Sequence, residues 1–251
     1  MELKDFFTQH PQGALALSGG VDSALLCWAA GRWGSGWQAF FVESAFQPAF
    51  ERQDARALAK QCGVPLTVLK ADVLSLPAVV QNPPDRCYHC KQAIFGTILA
   101  AARAAGLTLV IDGTNASDDA SDRPGMRALR ELEVRSPLRE CGLTKADVRR
   151  LSREAGLPTW DKPAYACLAT RIPTGTPLRK EDLVRVEQAE AALAELGLRD
   201  FRVRLRQGGA LVQVTAAQQP FARASWQQIA AALEPLFGRA KLDPQPRTPS
   251  D

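Results

Sequence analysis

Residues 14–30 read ALALSGGVDSALLCWAA. A short apolar run ends in Ser18-Gly19-Gly20-Val21-Asp22-Ser23, and a helical pattern follows at once. The periodicity predicts a buried strand over 14–18, a glycine turn and a helix over 23–32. Glycines at such a junction let another group approach the backbone closely. A helix that begins there leaves amide N–H groups unpaired at the positive end of its dipole, which makes an anion site. Ser18 and Ser23 add hydroxyl donors. Asp22 is the odd member: a carboxylate beside phosphates is repelled unless a cation lies between them, and Mg²⁺ on a nucleotide supplies one. The plainer reading of two adjacent glycines is an ordinary strand-turn-helix with a capping Asp.

The same alternation continues downstream. Residues 37–43 are strand-like, 49–62 look helical and stop at Gly63, and 66–70 are strand-like again. An Ala-rich helix over 94–105 closes at Gly106, and LTLVIDGTN (107–115) then enters as an apolar strand ending in turn residues. Strands buried on both faces and alternating with helices argue for an α/β fold with a doubly wound parallel sheet, on which ligands bind at the carboxyl ends of the strands. A further helix is capped by Thr144, with Asp147 three residues on in an approximate capping box, and stops at Gly156–Pro158.

The proline-rich stretch DKPAYACLATRIPTGTP (161–177) has no clear period and marks a domain boundary near residue 170. The expected organisation is a first domain over 1–170, a smaller C-terminal α+β domain over 171–238, and a disordered tail over 239–251. The second domain reads as an amphipathic helix over 180–196, a β-hairpin around Gly208-Gly209 and a last helix over about 225–237.

With 251 residues and 46% hydrophobic content, the chain can bury a sizeable core. A net charge of +4, from 31 basic and 27 acidic residues, is too mild to announce nucleic acid as a partner, though it suits a small anion. No secretory signal pattern opens the chain and no apolar run is long enough to span a bilayer, so a cytoplasmic protein with no membrane partner is expected. In a reducing compartment the six cysteines read as thiols, metal ligands or reactive groups.

A second loop, VIDGTNASDDASDRPG (110–125), again places Gly and polar residues after an apolar strand. Gly113, Thr114 and Asn115 can present donors at the same sheet edge as the glycine turn; Asp118 and Asp119 can hold a cation or start a helix. RCYHCK (86–91) sets Cys87 and Cys90 with two residues between them. That pair is open to four readings: a zinc half-site, a redox pair, part of an iron–sulfur site, or two chance thiols. With His10 and His89 the only histidines, a full tetrahedral zinc set is poorly supplied. Cys167 is a candidate third cysteine, four residues before Arg171, whose charge favours thiolate. Cys27 and Cys62 fall among apolar residues and read as packing, and Cys141 as a loop thiol.

The string SGGVDS resembles the PP-loop of the ATP pyrophosphatases, and lacks the Lys of the Walker type. Taken with DGTNASDDASDRPG, with VRSPLRECGLTKADVRRLSREAGLPTWDKPAYACLATRIPTG (134–175) and with FRVRLRQGG (201–209), it resembles the LarE family over nearly the whole chain. The resemblance implies a PP-loop, HUP-like fold and an ATP-dependent sulfurtransferase of nickel-pincer nucleotide biosynthesis, the cofactor of lactate racemase. It implies adenylation of the carboxylates of pyridinium-3,5-biscarboxylic acid mononucleotide, their conversion to thiocarboxylates, and an assembly of several subunits, expected here as a homo-oligomer.

Carried over by position, Ser18, Gly19, Gly20, Val21, Asp22 and Ser23 bind ATP with Mg²⁺, Cys167 takes the place of the sulfur-bearing cysteine, and Glu190 and Arg202 stand at the acidic and phosphate-binding positions. Arg171, Asp22, Glu190 and Cys167 are the expected catalytic set. The family has two sulfur strategies: one sacrifices its own cysteine, the other holds a 4Fe–4S cluster on three cysteines. The presence of Cys87 and Cys90 beside Cys167 favours the cluster, with a sulfide donor that the sequence does not name. Gln207 replaces the usual His, and Thr170 the usual Ser. The rival readings are a tRNA thiolase, against which the mild charge argues, and a non-catalytic adenine nucleotide sensor.

Overall fold

The computed structural model describes residues 1–118, 124–207 and 209–248. Along the chain the elements are α1 (Leu3–Gln9), β1 (Gln12–Ala16), α2 (Val21–Trp33), β2 (Gly36–Glu43), α3 (Ala49–Cys62), β3 (Leu66–Lys70), α4 (Pro77–Val80), α5 (Arg86–Ala104) and β4 (Val110–Ile111). They continue with α6 (Pro124–Glu131), α7 (Pro137–Glu140), α8 (Lys145–Glu154), α9 (Lys180–Glu195), β5 (Phe201–Arg206), β6 (Gly209–Val214), α10 (Gln219–Ala224), α11 (Trp226–Phe237) and β7 (Ala240–Leu242). Two compact units result, the first built from residues 1–73 and 85–162, the second from 74–84 and 163–251.

The first unit carries the parallel sheet, in the order β3-β2-β1-β4. Strand direction explains the composition of β2. Phe40 and Phe41 point to opposite faces, and each is buried in a different cluster: Phe41 with Phe7, Leu25 and Leu58, Phe40 with Phe95, Ile98 and Leu129. Helices α1, α2, α3 and α8 supply the first cluster, and α5 and α6 the second, so both faces are covered. Chain order moves from β1 outward through β2 to β3, while β4 lies on the other side of β1. That reversal puts the loops after β1 and β4 at the switch point, the place where open α/β sheets bind ligands.

Local signals account for most boundaries. Gly63 takes a left-handed conformation (φ 67°) and donates its N–H back to Lys60, which ends α3 where the sequence stops it. Thr144 and Asp147 form the reciprocal capping box of α8. Two elements differ from expectation. Helix α5 begins at Arg86 rather than 94, so Cys87 and Cys90 lie in its first turns. Strand β4 is only two residues long, because it pairs with β1 at Ala14 and Leu15 alone.

The second unit is a three-stranded sheet, β5-β6-β7, with an antiparallel β5–β6 hairpin and a parallel β6–β7 pair. Leu193 of α9 and Ile229 and Leu233 of α11 pack on Val203 and Val212. The tail expected to be disordered contains β7, because the backbone of 240–242 completes the sheet beside β6. Segment 74–84 also belongs here: Asn82, fully buried, donates its Nδ2–H to the Pro173 carbonyl at 2.9 Å and accepts from Gly175 N–H at 2.8 Å. Hydropathy could not reveal that return, since backbone bonds stitch it. No helix among the described residues is long and apolar enough to cross a membrane.

Candidate active site

The glycine turn sits at the end of β1, as its sequence requires. Gly19 has φ 77°, and a Cβ there would meet the Glu51 carbonyl oxygen at 3.2 Å, so α3 packs directly on the turn. Gly20 is different. It is the N-cap of α2 with φ −82° and ψ 165°, a conformation open to any residue, and an added Cβ would meet only Ser18 Oγ at 3.5 Å. Neither backbone strain nor protein packing demands glycine at position 20. Glycine there leaves the start of α2 open to close approach by another group.

The serines organise the turn. Ser23 Oγ donates to the Gly20 carbonyl (3.1 Å), accepts from Ser18 N–H (3.2 Å) and lies 3.1 Å from Ser18 Oγ. Val21 buries its side chain in the core and offers only its backbone. Asp22 has both oxygens engaged: Asn115 Nδ2–H donates to Oδ1 at 3.0 Å and Lys145 Nζ to Oδ2 at 2.5 Å. The cation that a carboxylate in this place needs is therefore supplied by Lys145, whose side chain is 18% exposed.

The second loop meets the first. A Cβ at Gly113 would lie 3.0 Å from Ser23 N and 3.1 Å from Asp22 Cβ, so glycine there permits the two loops to touch. Buried Asp112 accepts from Thr114 Oγ1 at 2.5 Å and from Ser136 Oγ at 2.6 Å, fixing the loop from below. Asn115 N–H donates to Asp118 (2.9 Å), and the Ala116 N–H to the Leu143 carbonyl (2.8 Å). Asp119 lies outside the described residues.

Two lysines escaped the sequence reading. Besides Lys145, Lys162 donates to the Gly19 carbonyl at 3.2 Å and to Asp54 at 2.5 Å, and its ammonium stands 5.2 Å from the centre of the exposed Phe50 ring. The first unit thus converges backbone donors, two hydroxyls and two ammonium groups on one turn, an arrangement suited to polyphosphate. The only advance signal for Lys162 was its position in the irregular 161–177 stretch.

Cys87 is exposed and Cys90 half-buried on the first turns of α5, three residues apart and so on one helix face. Arg86 Nη2 donates to Cys87 Sγ at 3.7 Å. Two thiols on one face are two donors of the three that a site-differentiated cluster needs. Among the described residues, no group of three or more His, Cys, Asp or Glu is placed to hold a metal ion.

In the second unit, Cys167 caps a short 3-10 turn, Leu168–Arg171. Thr170 donates to the Cys167 carbonyl through both its N–H (3.0 Å) and its hydroxyl (2.9 Å). Arg171, 1% exposed, donates Nη1–H to the Ala166 carbonyl at 2.9 Å and pairs Nε and Nη2 with the two oxygens of Glu190 at 2.8 and 3.0 Å. Glu190 also accepts from Tyr165 OH (2.5 Å) and Val203 N–H (2.8 Å). Expected as catalytic groups, Arg171 and Glu190 form a buried brace that shapes the Cys167 loop. Burial pulls the Arg171 pKa down, but the bonds to Glu190 and its charge prevail and leave it raised. Tyr165 is held protonated by burial and by Glu190.

Arg202 lies beside this brace. It donates to the Ala164 carbonyl at 2.5 Å, and burial, with the positive charges of Arg171 and Arg247, lowers its pKa to about 10. Arg204 is lowered by the same kinds of cause and donates to the Thr170 carbonyl at 2.7 Å. Guanidinium groups destabilised by like charge gain most from an anion.

Comparison with known proteins places relatives along most of this length. The chain is 37% identical over 219 residues to an uncharacterised protein of Synechocystis sp., covering 86% of this chain and 81% of that one. It is 32% identical over 208 residues to the pyridinium-3,5-bisthiocarboxylic acid mononucleotide synthase of Lactiplantibacillus plantarum, covering 81% and 75% respectively. An uncharacterised protein of Methanocaldococcus jannaschii is 28% identical over 200 residues, covering 80% and 76%. No protein-family profile matches the chain.

Proposed function

Because the chain belongs to the LarE family, that of the Lactiplantibacillus pyridinium-3,5-bisthiocarboxylic acid mononucleotide synthase, we propose that it is an ATP-dependent sulfurtransferase acting on pyridinium-3,5-biscarboxylic acid mononucleotide. The observation that carries the ATP half is Gly20, a glycine that no packing contact among the described residues requires, at the head of a helix flanked by Lys145 and Lys162. ATP arrives with Mg²⁺ on its phosphates. A substrate carboxylate oxygen attacks the α-phosphorus, the bond to the β-phosphate oxygen breaks, and pyrophosphate leaves against the N–H groups of α2 and the two ammonium groups. Lys145 and Asn115 keep Asp22 oriented and neutralised during that step. AMP is then the leaving group when sulfur attacks the acyl adenylate.

Cys167 is the sulfur-handling residue, on a loop held by Arg171 and Glu190, with Arg202 and Arg204 beside it for the mononucleotide phosphate. Cys87, Cys90 and Cys167 would hold a 4Fe–4S cluster, which supplies an open iron site for sulfide. That assignment requires Cys167 to complete the pair on α5. Iron and acid-labile sulfide on protein purified without oxygen test it: about four irons per chain, lost in Cys87→Ser, support the cluster. Iron absent after anaerobic reconstitution, with dehydroalanine at position 167 after turnover, supports sacrifice of Cys167. The homo-oligomer remains part of the proposal and is read by light scattering.

A further inference from the structure

Gly31 lies one turn beyond Cys27 on α2, on the same helix face. A Cβ at position 31 would fall 2.0 Å from the Cys62 carbonyl oxygen and 3.1 Å from its carbonyl carbon, so the backbones of α2 and α3 touch there. That contact sets Cys62, the last residue of α3, against the face that carries Cys27. Cys27 is fully buried in the core of the first unit, and Cys62 is half-buried at its margin. The two thiols act on one another: the neighbouring Cys62, with burial, pushes the Cys27 pKa up, and Cys27 pulls the Cys62 thiol below its ordinary value, against burial.

We propose that Cys27 and Cys62 are a modification site, a dithiol that peroxide converts to a reversible disulfide. The sulfur of Cys62, the accessible member, attacks one peroxide oxygen; the O–O bond breaks, hydroxide leaves, and Cys62 becomes a sulfenic acid. The Cys27 sulfur then displaces hydroxide from Cys62. The S–S bond forms, and the Cys27 proton leaves with that hydroxide as water. In sum the two thiols lose two electrons and two protons, and one peroxide becomes two waters. A low-molecular-weight thiol reverses the bond by exchange. The link ties α2, which begins at the glycine turn, to α3, whose first turn packs on Gly19.

The experiment exposes the full-length protein to hydrogen peroxide, alkylates the remaining thiols and digests with trypsin. Cys27 and Cys62 fall in separate tryptic peptides, 5–32 and 61–70, neither of which contains another cysteine. The expected result is a linked pair of those peptides, short of two hydrogens and dissolved by dithiothreitol. Cys62→Ser abolishes it, and Cys27→Ser leaves Cys62 as a sulfenic acid that dimedone labels. Recovery of both peptides singly alkylated, at peroxide doses that oxidise exposed Cys87, overturns the proposal. So does Cys62 joined to any other cysteine.

Discussion

Replacing Glu190 with Ala tests whether the Arg171–Glu190 pair is a brace or a catalytic couple. The Arg171 and Glu190 side chains are 1% and 6% exposed, and the carboxylate accepts four hydrogen bonds, two of them from Arg171. Removing one partner of a buried pair leaves an uncompensated charge and costs about 3–5 kcal/mol. The Val203 N–H and Tyr165 hydroxyl also lose their acceptor, at roughly 1–3 kcal/mol each where no water replaces it. Against a total stability of about 5–15 kcal/mol, even the lower figure is a large fraction. With a urea slope near 2 kcal/mol/M, the unfolding midpoint falls by roughly 1.5–2.5 M. Trp226 is in the second unit, so its fluorescence in a variant lacking the other tryptophans reports that unit directly. The double variant Glu190→Met with Arg171→Met recovers much of the loss, because a well-packed apolar pair avoids the desolvation of both charges. A midpoint shift under about 0.5 M, with activity lost, would refute the brace and return Glu190 to the chemistry.

The glycines of the two loops divide by the same logic. Gly20→Ala changes unfolding free energy by no more than about 0.5 kcal/mol while ATP affinity, measured by calorimetry, falls at least about tenfold; unchanged affinity removes the close approach. Gly113→Ala instead destabilises by about 1–3 kcal/mol in urea unfolding, because its Cβ meets the start of α2. Asp22→Ala abolishes ATP-dependent pyrophosphate release with the circular dichroism spectrum unchanged, and an active variant removes Asp22 from the mechanism. For Arg202 the sign follows from a lowered pKa. The cost of its buried charge is present below pH 10 and relieved as pH rises through about 10, when the native form loses its proton before the unfolded one. An anion bound there loses its cation over the same range, so KM for the mononucleotide rises above about pH 10, and a flat profile rejects Arg202 as its phosphate ligand.

The parallel sheet was legible in the sequence because β1, β2 and β3 are apolar on both faces and α3 stops at a glycine. Likewise the glycine turn and the DGTN loop could be placed at one sheet edge from the strand pattern alone. What escaped was set by long-range contacts. Lys145 and Lys162 lie more than a hundred residues from the turn they serve, on segments whose local pattern speaks only of a helix start and a proline-rich loop. Asn82, through its side-chain amide and its carbonyl, and β7, through its backbone, join the second unit by hydrogen bonds that hydropathy does not record. The roles expected of Glu190 and Arg171 came from the family resemblance and from the spacing of Arg171 to Cys167, whereas their burial and mutual pairing depend on how α9 meets β5 and the Cys167 turn.

The most direct test of the sulfurtransferase account is mass spectrometry of pyridinium-3,5-biscarboxylic acid mononucleotide after anaerobic incubation with the purified protein, ATP and Mg²⁺. The account predicts exchange of carboxylate oxygen for sulfur, with AMP and pyrophosphate formed alongside, and no sulfur incorporated by Cys167→Ser. An unmodified mononucleotide, with ATP intact or hydrolysed only to ADP, would contradict it.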